Sequence, residues 1–321
     1  MAFITDREQA SEVFRRLAKC GVSMAIFCTG SHWNVEAILR AADKFATLHH
    51  IKGIPVAVAM TSHYPYMQQA QRVMRCQNNI IGLKAIMDYC KLLCDGPEAP
   101  YANVCVLPHL DHADPERDRW ELTEGLQYFA SVMFDAQKYT LEDNISLTAK
   151  YVKEYGDRIL VEGALEQLGV SGTKISHQVD DYVQRAVDFV EKTKVDFLVA
   201  DLGTEQQSTN TGGIYLKKRA QELTANLGKA MLVLHGTSSL SNENIRGFSK
   251  DGVIRVNMWT RIAREAGQYA ARLLNERMAA IKANDFEACE ARQYIFDNID
   301  RATDIMYNIL ESLNYSALAE E

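Results

Sequence analysis

The feature that most constrains the fold is a regular alternation along the chain. Short, β-branched apolar runs recur, and each is followed by a longer amphipathic segment rich in charged residues, which is typical of successive βα units. Eight such runs in one undivided chain predict an α/β fold, a closed (β/α)8 barrel rather than an open sheet. The runs span residues 23–28, 55–60, 103–108, 129–134, 158–162, 195–200, 231–235 and 252–257.

Amphipathic helices are predicted between these runs. Residues 34–46 place Val35, Ile38 and Leu39 on one face, and residues 179–193 repeat the pattern. Thr140 is a typical helix N-cap with acidic residues after it. We therefore expect a single TIM-barrel domain over residues 1–321, in which residues 262–321 form extra C-terminal helices available to pack on a partner subunit.

Composition and charge exclude several classes of function. The formal net charge of −7 argues against binding to nucleic acid, which needs clustered Lys and Arg, and favours a small-molecule partner. No apolar stretch approaches the roughly 18 residues of a membrane span, and charged residues 6–8 come too early for a signal peptide. We expect a cytoplasmic protein that binds no membrane, with its seven cysteines reduced.

Ionisable side chains follow two of the predicted strands. His109, Asp111 and His112 come directly after the apolar residues 104–107, and His235 ends the run 231–235. The carboxyl ends of barrel strands meet at one mouth, where barrel enzymes carry their chemistry. Two imidazoles with a carboxylate beside them fit a borderline-soft divalent ion such as Zn²⁺.

Five segments, in order along the chain, resemble the class II (metal-dependent) ketose-bisphosphate aldolases, the fructose- and tagatose-bisphosphate group. The resemblance extends from about Ser23 to Ala266. It implies a lyase that cleaves or forms an aldol bond in a ketose phosphate or related sugar derivative through a metal-stabilised enediolate. It also implies zinc or another divalent metal, and a homodimer or homotetramer. The segments are residues 107–112, 131–145, 195–204, 233–238 and 256–260.

The resemblance also implies roles for individual residues. Asp111 matches the acid that exchanges a proton with the hydroxyl of the reacting carbon, and His112 and His235 match metal ligands. Such chemistry needs a cation that stabilises the enediolate and a carboxylate that removes the hydroxyl proton. The residues expected to bind the substrate and its phosphate are Gly203, Gly236, Ser238, Asn257 and Thr260, of which Asn257 is expected against the enediolate.

The chain departs from the family pattern at its third metal ligand. Gln206 stands where the family has a third histidine, Glu205 lies beside it, and Ala164 replaces a second acid after Glu162. A catalytic zinc site has three protein ligands, so the third is expected from Glu205, Gln206 or Glu162. The loop 169–174 lacks the acid that the family uses for proton transfer, and His177 is a minor candidate to replace it.

Other interpretations remain open from the sequence. Trp259 and Thr237 suggest an unphosphorylated or acidic sugar as the substrate, and the lost ligand positions suggest a non-catalytic descendant that binds a sugar phosphate. His109 is expected to be a packed core histidine. Asp135 and Asn144 are expected to support other groups or cap helices rather than react.

Overall fold

Eight parallel strands close into a barrel in the computed structural model, which describes residues 2–166, 168–169, 181–208, 213–290 and 292–320. Each strand pairs with the next along the chain, and β8 closes the barrel on β1. The eight-strand prediction is confirmed, since every predicted run overlaps one strand. The strands are β1 (Met24–Cys28), β2 (Ile54–Thr61), β3 (Val104–Ala113), β4 (Ser131–Phe134), β5 (Leu160–Ala164), β6 (Phe197–Val199), β7 (Leu232–Leu234) and β8 (Val253–Met258).

Helices follow the strands on the outside of the barrel. The first predicted helix, 34–46, is longer than expected, and the Thr140 hydroxyl accepts the N–H of Asp143 as an N-cap should. Residues 179–180 of the other predicted helix lie outside the described residues. The helices are α1 (Arg7–Lys19), α2 (His32–His49), α3 (Gln69–Arg72), α4 (Asn79–Cys94), α5 (Leu141–Tyr155), α6 (Tyr182–Thr193), α7 (Lys217–Leu227), α8 (Thr260–Glu276), α9 (Met278–Lys282), α10 (Phe286–Cys289) and α11 (Arg292–Ser312).

Strand β3 is longer than its apolar run and carries the ionisable motif inside it. The pairing of β3 with β4 slips by one residue between Leu110 and Ala113, which places a bulge at Asp111 and His112. His112 has a φ of 48°, in the left-handed region. A bulge re-aims side chains that a regular pleat would point alternately in and out, so both residues can turn towards the barrel mouth.

The C-terminal extension packs mainly on the protein's own barrel. Helix α11 lies against α2 and α8, and Arg40 and Lys44 of α2 form ion pairs with Asp300 and Asp304 of α11. The hydroxyl of buried Tyr315 accepts the backbone N–H of Ala25 in β1 at 2.9 Å. Helix α11 therefore covers this barrel, and packing of other parts of the extension on a partner subunit stays a prediction.

Two further features of the described residues concern membrane-spanning helices and the state of the cysteines. No helix among the described residues has the length and apolar character needed to cross a membrane. No disulfide joins any of the seven cysteines, all of which are described, and three of them, Cys28, Cys90 and Cys94, are buried. The expectation of reduced cysteines thus agrees with the structure, although Cys76 and Cys289 are exposed rather than in the core.

The contact between Tyr315 and β1 gives a testable prediction. Tyr315→Phe should lower the free energy of unfolding by about 1–3 kcal/mol, because the buried N–H of Ala25 loses its partner. Urea denaturation followed by circular dichroism measures the change. Tyr294→Phe, on the same extension and without a hydroxyl hydrogen bond among the described residues, is the control. Equal stability of the two variants would show that the contact contributes nothing.

Candidate active site

Two histidines and one aspartate meet at the barrel mouth. Asp111 and His112 come from the end of β3, and His235 directly follows β7. Their ligand atoms all lie within 4.8 Å of one another, and all three side chains are buried. The structure thus brings together the two histidines and the carboxylate that the sequence analysis singled out.

His112 is held on two sides. Its Nδ1 lies 2.7 Å from Oδ2 of Asp135, and its ring stacks on Tyr64 with centroids 4.0 Å apart and planes 8° apart. Because Asp135 occupies Nδ1, Nε2 is the ring nitrogen left for a ligand, the arrangement common in metal sites. Burial lowers the pKa of His112, but Asp111 and Asp135 outweigh that effect, and the pKa is raised.

His235 offers an unpaired nitrogen. Its Nε2 is buried and has no hydrogen-bond partner among the described residues. Burial, with help from His112 and Arg255, holds the pKa of His235 well below its usual range, so the ring is neutral near pH 7. A neutral imidazole with a free nitrogen is the form that binds a metal. The donor set of two imidazoles and one carboxylate fits a divalent ion of the zinc type.

Asp111 is positioned by contacts to both of its oxygens. The Asn257 amide donates to Oδ1 at 3.2 Å, and the Cys28 thiol donates to Oδ2 at 3.7 Å. Burial raises the pKa of Asp111, although it is partly offset by His112. The Oδ1 atom of Asn257 is itself buried without a partner among the described residues. A fixed carboxylate beside the imidazoles can accept a proton from a molecule bound at the barrel mouth.

Asp111, His112 and His235 line one cavity, which continues to the start of α8. Gly236, Ser238 and Thr260 line it. Gly236 has a φ of 70°, and a Cβ there would lie 2.7 Å from the backbone of Glu205, so a side chain would strain the turn. The Ser238 hydroxyl is buried without a partner among the described residues, and the 17-residue α8 begins at Thr260. Hydroxyl and helix N-terminal donors suit an anion.

Two predicted residues are not brought into this cavity. The N–H of Gly203 donates to Oδ1 of Asp201 at 2.9 Å, and Gly203 does not line the cavity. Asp111, His112 and His235 are called the ligand group below. Glu205 belongs neither to this group nor to the cavity lining, whereas Gln206 lines the cavity. Adjacent residues of an extended chain point to opposite sides, so only one of this pair faces inward.

The remaining expectations concern supporting residues. His109 is fully buried with Nδ1 2.9 Å from the Ser131 hydroxyl, which agrees with a packed core histidine. The Asn144 amide donates to the carbonyl of Ala164 and so ties α5 to β5. His177 lies outside the described residues, as does most of the loop 169–174.

Among the cavity-lining residues that sequence reasoning missed, Cys28 contacts Asp111 and Tyr64 contacts His112. Cys28 ends β1, so its place at a strand end was a usable signal. Tyr64 lies three residues beyond the end of β2, and nothing in the local sequence distinguishes its ring from an ordinary loop aromatic. Its importance comes from contacts to β3 and to the loop after β6, which only the folded chain reveals.

A second group of possible metal ligands occurs in the loops after β2 and β3. It contains His63, Asp118 and Glu121. His63 Nδ1 lies 2.6 Å from Asp118, and Ser62 and Asn79 donate to Glu121 at 2.5 and 2.6 Å. These contacts account for the group as a hydrogen-bonded network that joins the two loops.

Several known proteins are similar to this chain in sequence or in fold. A sulfofructosephosphate aldolase from Alkalicoccus urumqiensis is 25% identical over 279 residues, which cover 82% of each chain. A 6-phospho-5-dehydro-2-deoxy-D-gluconate aldolase from Bacillus velezensis is 27% identical over 268 residues, covering 81% of this chain and 80% of that one. The solved structure of a fructose-bisphosphate aldolase from Campylobacter jejuni has a TM-score of 0.74 at 16% identity, covering 98% of this chain and 96% of that one.

The family model agrees with these comparisons and with the motifs. The model described as class II fructose-bisphosphate aldolase matches residues 8–316, nearly the whole chain. The structural likeness supports the same barrel fold. The chain therefore belongs to the class II fructose-bisphosphate aldolase family and is a metal-dependent, aldolase-type carbon–carbon lyase, as its five motif segments predict.

Proposed function

We propose that this protein cleaves and forms the carbon–carbon bond of a ketose phosphate, with zinc held by His112 and His235. The observation that carries the proposal is the buried group of two imidazoles and the Asp111 carboxylate, with ligand atoms within 4.8 Å of one another, at the floor of an open cavity. A divalent ion bound there supplies positive charge that stabilises the oxygens of the ketose half during cleavage.

The third protein ligand is best supplied by Asp111. Glu162 pairs with Arg255 at 2.8 Å, and the Glu205 carboxylate lies outside the cavity. The amide oxygen of Gln206 accepts the Tyr64 hydroxyl, and an amide nitrogen is not a metal ligand. The Asp111 carboxylate already belongs to the ligand group, and its two oxygens allow contact with both a cation and a substrate hydroxyl.

Asp111 is also the proton acceptor in the cleavage direction. The hydroxyl on the carbon that becomes the aldehyde gives its proton to Asp111 as the carbon–carbon bond breaks. The electron pair of that bond passes to the ketose half, whose carbonyl oxygen takes up the negative charge. Asn257, which donates to Asp111, keeps the carboxylate aimed at this hydroxyl. In the reverse direction, Asp111 returns the proton to the new hydroxyl.

The phosphate is proposed to lie at the other end of the cavity. The unpaired Ser238 hydroxyl, the turn at Gly236 and the N-terminal turn of α8 at Thr260 together offer donors for an anion. This donor set favours a phosphorylated ketose over the unphosphorylated alternative, although Trp259 lines the same cavity and narrows it. The retained Asp111 and family membership favour catalysis over a purely binding role.

The metal site gives a direct prediction. Purified protein should carry about one zinc or similar ion per chain, and His235→Ala should remove most of it, because a site that loses one of three ligands binds too weakly. Elemental analysis after purification without chelators measures the content. His50→Asn is the control, since His50 is an exposed left-handed helix cap that Asn tolerates. Native protein without metal would contradict the proposal.

Asp111 gives the second prediction for this site. Asp111→Asn should lower the cleavage rate by roughly 10²–10⁴-fold, the usual contribution of a positioned acid–base group. The amide keeps an oxygen that can bind the ion and accept from Asn257, but it cannot take up a proton. Rates are measured at saturating zinc, so that an empty site cannot explain the loss. Full activity of the variant would remove Asp111 from proton transfer.

We also propose a cytoplasmic homodimer or homotetramer. The cytoplasmic location is supported by the absence of disulfides among the seven cysteines, because disulfides are rare in the reducing cytosol. An arm formed by the end of α8, by α9 and α10 and by the start of α11 supports self-association, since none of its described residues from 271 to 296 is buried in the single chain. Its exposed apolar side chains are Met278, Phe286, Ile295 and Phe296.

The arm gives a prediction about assembly. The double change Phe286→Ser and Phe296→Ser should convert the oligomer into monomers, because two exposed aromatic side chains lose their apolar area. Size-exclusion chromatography with light scattering measures the molar mass of the assembly. Leu92→Ser, which removes another exposed apolar side chain on α4, is the control and should leave the mass unchanged. A wild-type monomer, or an unaffected double variant, would contradict this assignment.

A further inference from the structure

Gln206 has one end of its amide bound and the other end free. Its Oε1 accepts the Tyr64 hydroxyl at 2.9 Å. Its Nε2 is buried and has no hydrogen-bond partner among the described residues. Both Gln206 and Tyr64 line the cavity that holds the ligand group. The side chain therefore presents an unused pair of N–H donors in the candidate active site.

Tyr64 explains why the amide has this orientation. A phenol hydroxyl is protonated near neutral pH, so the Tyr64 hydroxyl is a donor that needs an acceptor. Among the described residues, the hydroxyl has Gln206 Oε1 as its one hydrogen-bond acceptor. The opposite orientation of the amide would leave the hydroxyl proton without a partner. The ring of Tyr64 stacks on His112, and its hydroxyl binds the Gln206 amide. The position of this amide therefore depends on the ligand group through the Tyr64 ring.

An unpaired buried donor is unfavourable unless a bound molecule supplies an acceptor. Leaving such a donor without a partner costs free energy, and native structures contain few of them. The oxygens of a sugar are the acceptors that the proposed reaction brings into this cavity. Gln206 is also the residue at which the chain departs from the histidine of the family pattern, so it is a place where substrate recognition can differ.

We propose that Gln206, oriented by Tyr64, is a specificity-determining residue that donates a hydrogen bond from Nε2 to a carbonyl or hydroxyl oxygen of the bound sugar. The inference rests on the proposed function, because it takes the sugar phosphate as the occupant of the cavity. Gln206 thus contacts the substrate and does not contact the metal, and Tyr64 is a positioning residue that acts through it.

Calorimetric titration tests this assignment. The probe is dihydroxyacetone phosphate, the three-carbon product of cleaving a ketose 1-phosphate, titrated into zinc-saturated protein. Gln206→Ala should weaken binding of the probe about tenfold, the effect of one hydrogen bond. Tyr64→Phe, which keeps the ring on His112, should weaken it in the same direction and by less. Zinc affinity, measured by competition with a chelator, should change by less than about twofold in both variants.

A neighbouring residue supplies the matched control. Glu205→Ala alters the same loop outside the cavity and should leave both dissociation constants unchanged. Circular dichroism checks that each variant is folded, and Gln206→Glu, similar in shape but without the amide donors, replaces the alanine variant if that one is not. The glutamate variant should also weaken binding of the probe, because it lacks the amide donors and adds a negative charge beside an anionic ligand.

The results separate this inference from the proposed function. Loss of zinc affinity in Gln206→Ala by tenfold or more, with probe binding unchanged at saturating zinc, would make Gln206 a metal ligand and overturn the inference alone. Unchanged affinity for both zinc and probe would also overturn it. Failure of the wild-type protein to bind either zinc or the probe would instead contradict the proposed function.

Discussion

A buried ion pair across the barrel interior underlies the site. Arg255 of β8 and Glu162 of β5 lie 2.8 Å apart, although their strands are not neighbours in the sheet. Burial raises the pKa of Glu162 and lowers that of Arg255, and the attraction between the two charges offsets part of each shift. The guanidinium of Arg255 also lies over the rings of Phe14 and Phe197. Removing one partner would leave an uncompensated charge in the core.

This pair also connects the core to the chemistry above it. Arg255 donates to the Ser131 hydroxyl at 3.1 Å, and that hydroxyl contacts His109. His109 in turn lies 3.9 Å from Asp111 and 3.6 Å from Glu162. The floor of the site is therefore a polar layer in a barrel that is otherwise filled with apolar side chains. Its dimensions limit how far Asp111 can move when a ligand arrives.

The sequence predicted the barrel well because its strands are short, buried and regularly spaced. Buried strands appear as apolar runs, and amphipathic helices follow them, so the alternation alone indicates the topology. It could not show the bulge at Asp111 and His112, since that feature depends on the pairing of β3 with β4. It likewise could not separate Glu205 from Gln206, because which of two adjacent side chains faces inward depends on the position of the loop.

The contact between Tyr315 and Ala25 has a consequence for synthesis of the chain. The two residues are 290 positions apart, so β1 obtains this hydrogen bond only after all eight strands and α11 have been made. Contacts of such high sequence separation form late. Strand β1 also lacks its neighbour in the barrel until β8 has been made. The barrel can thus close only after β8 has been made, and chains that stop before β8 would expose an edge of β1 to aggregation.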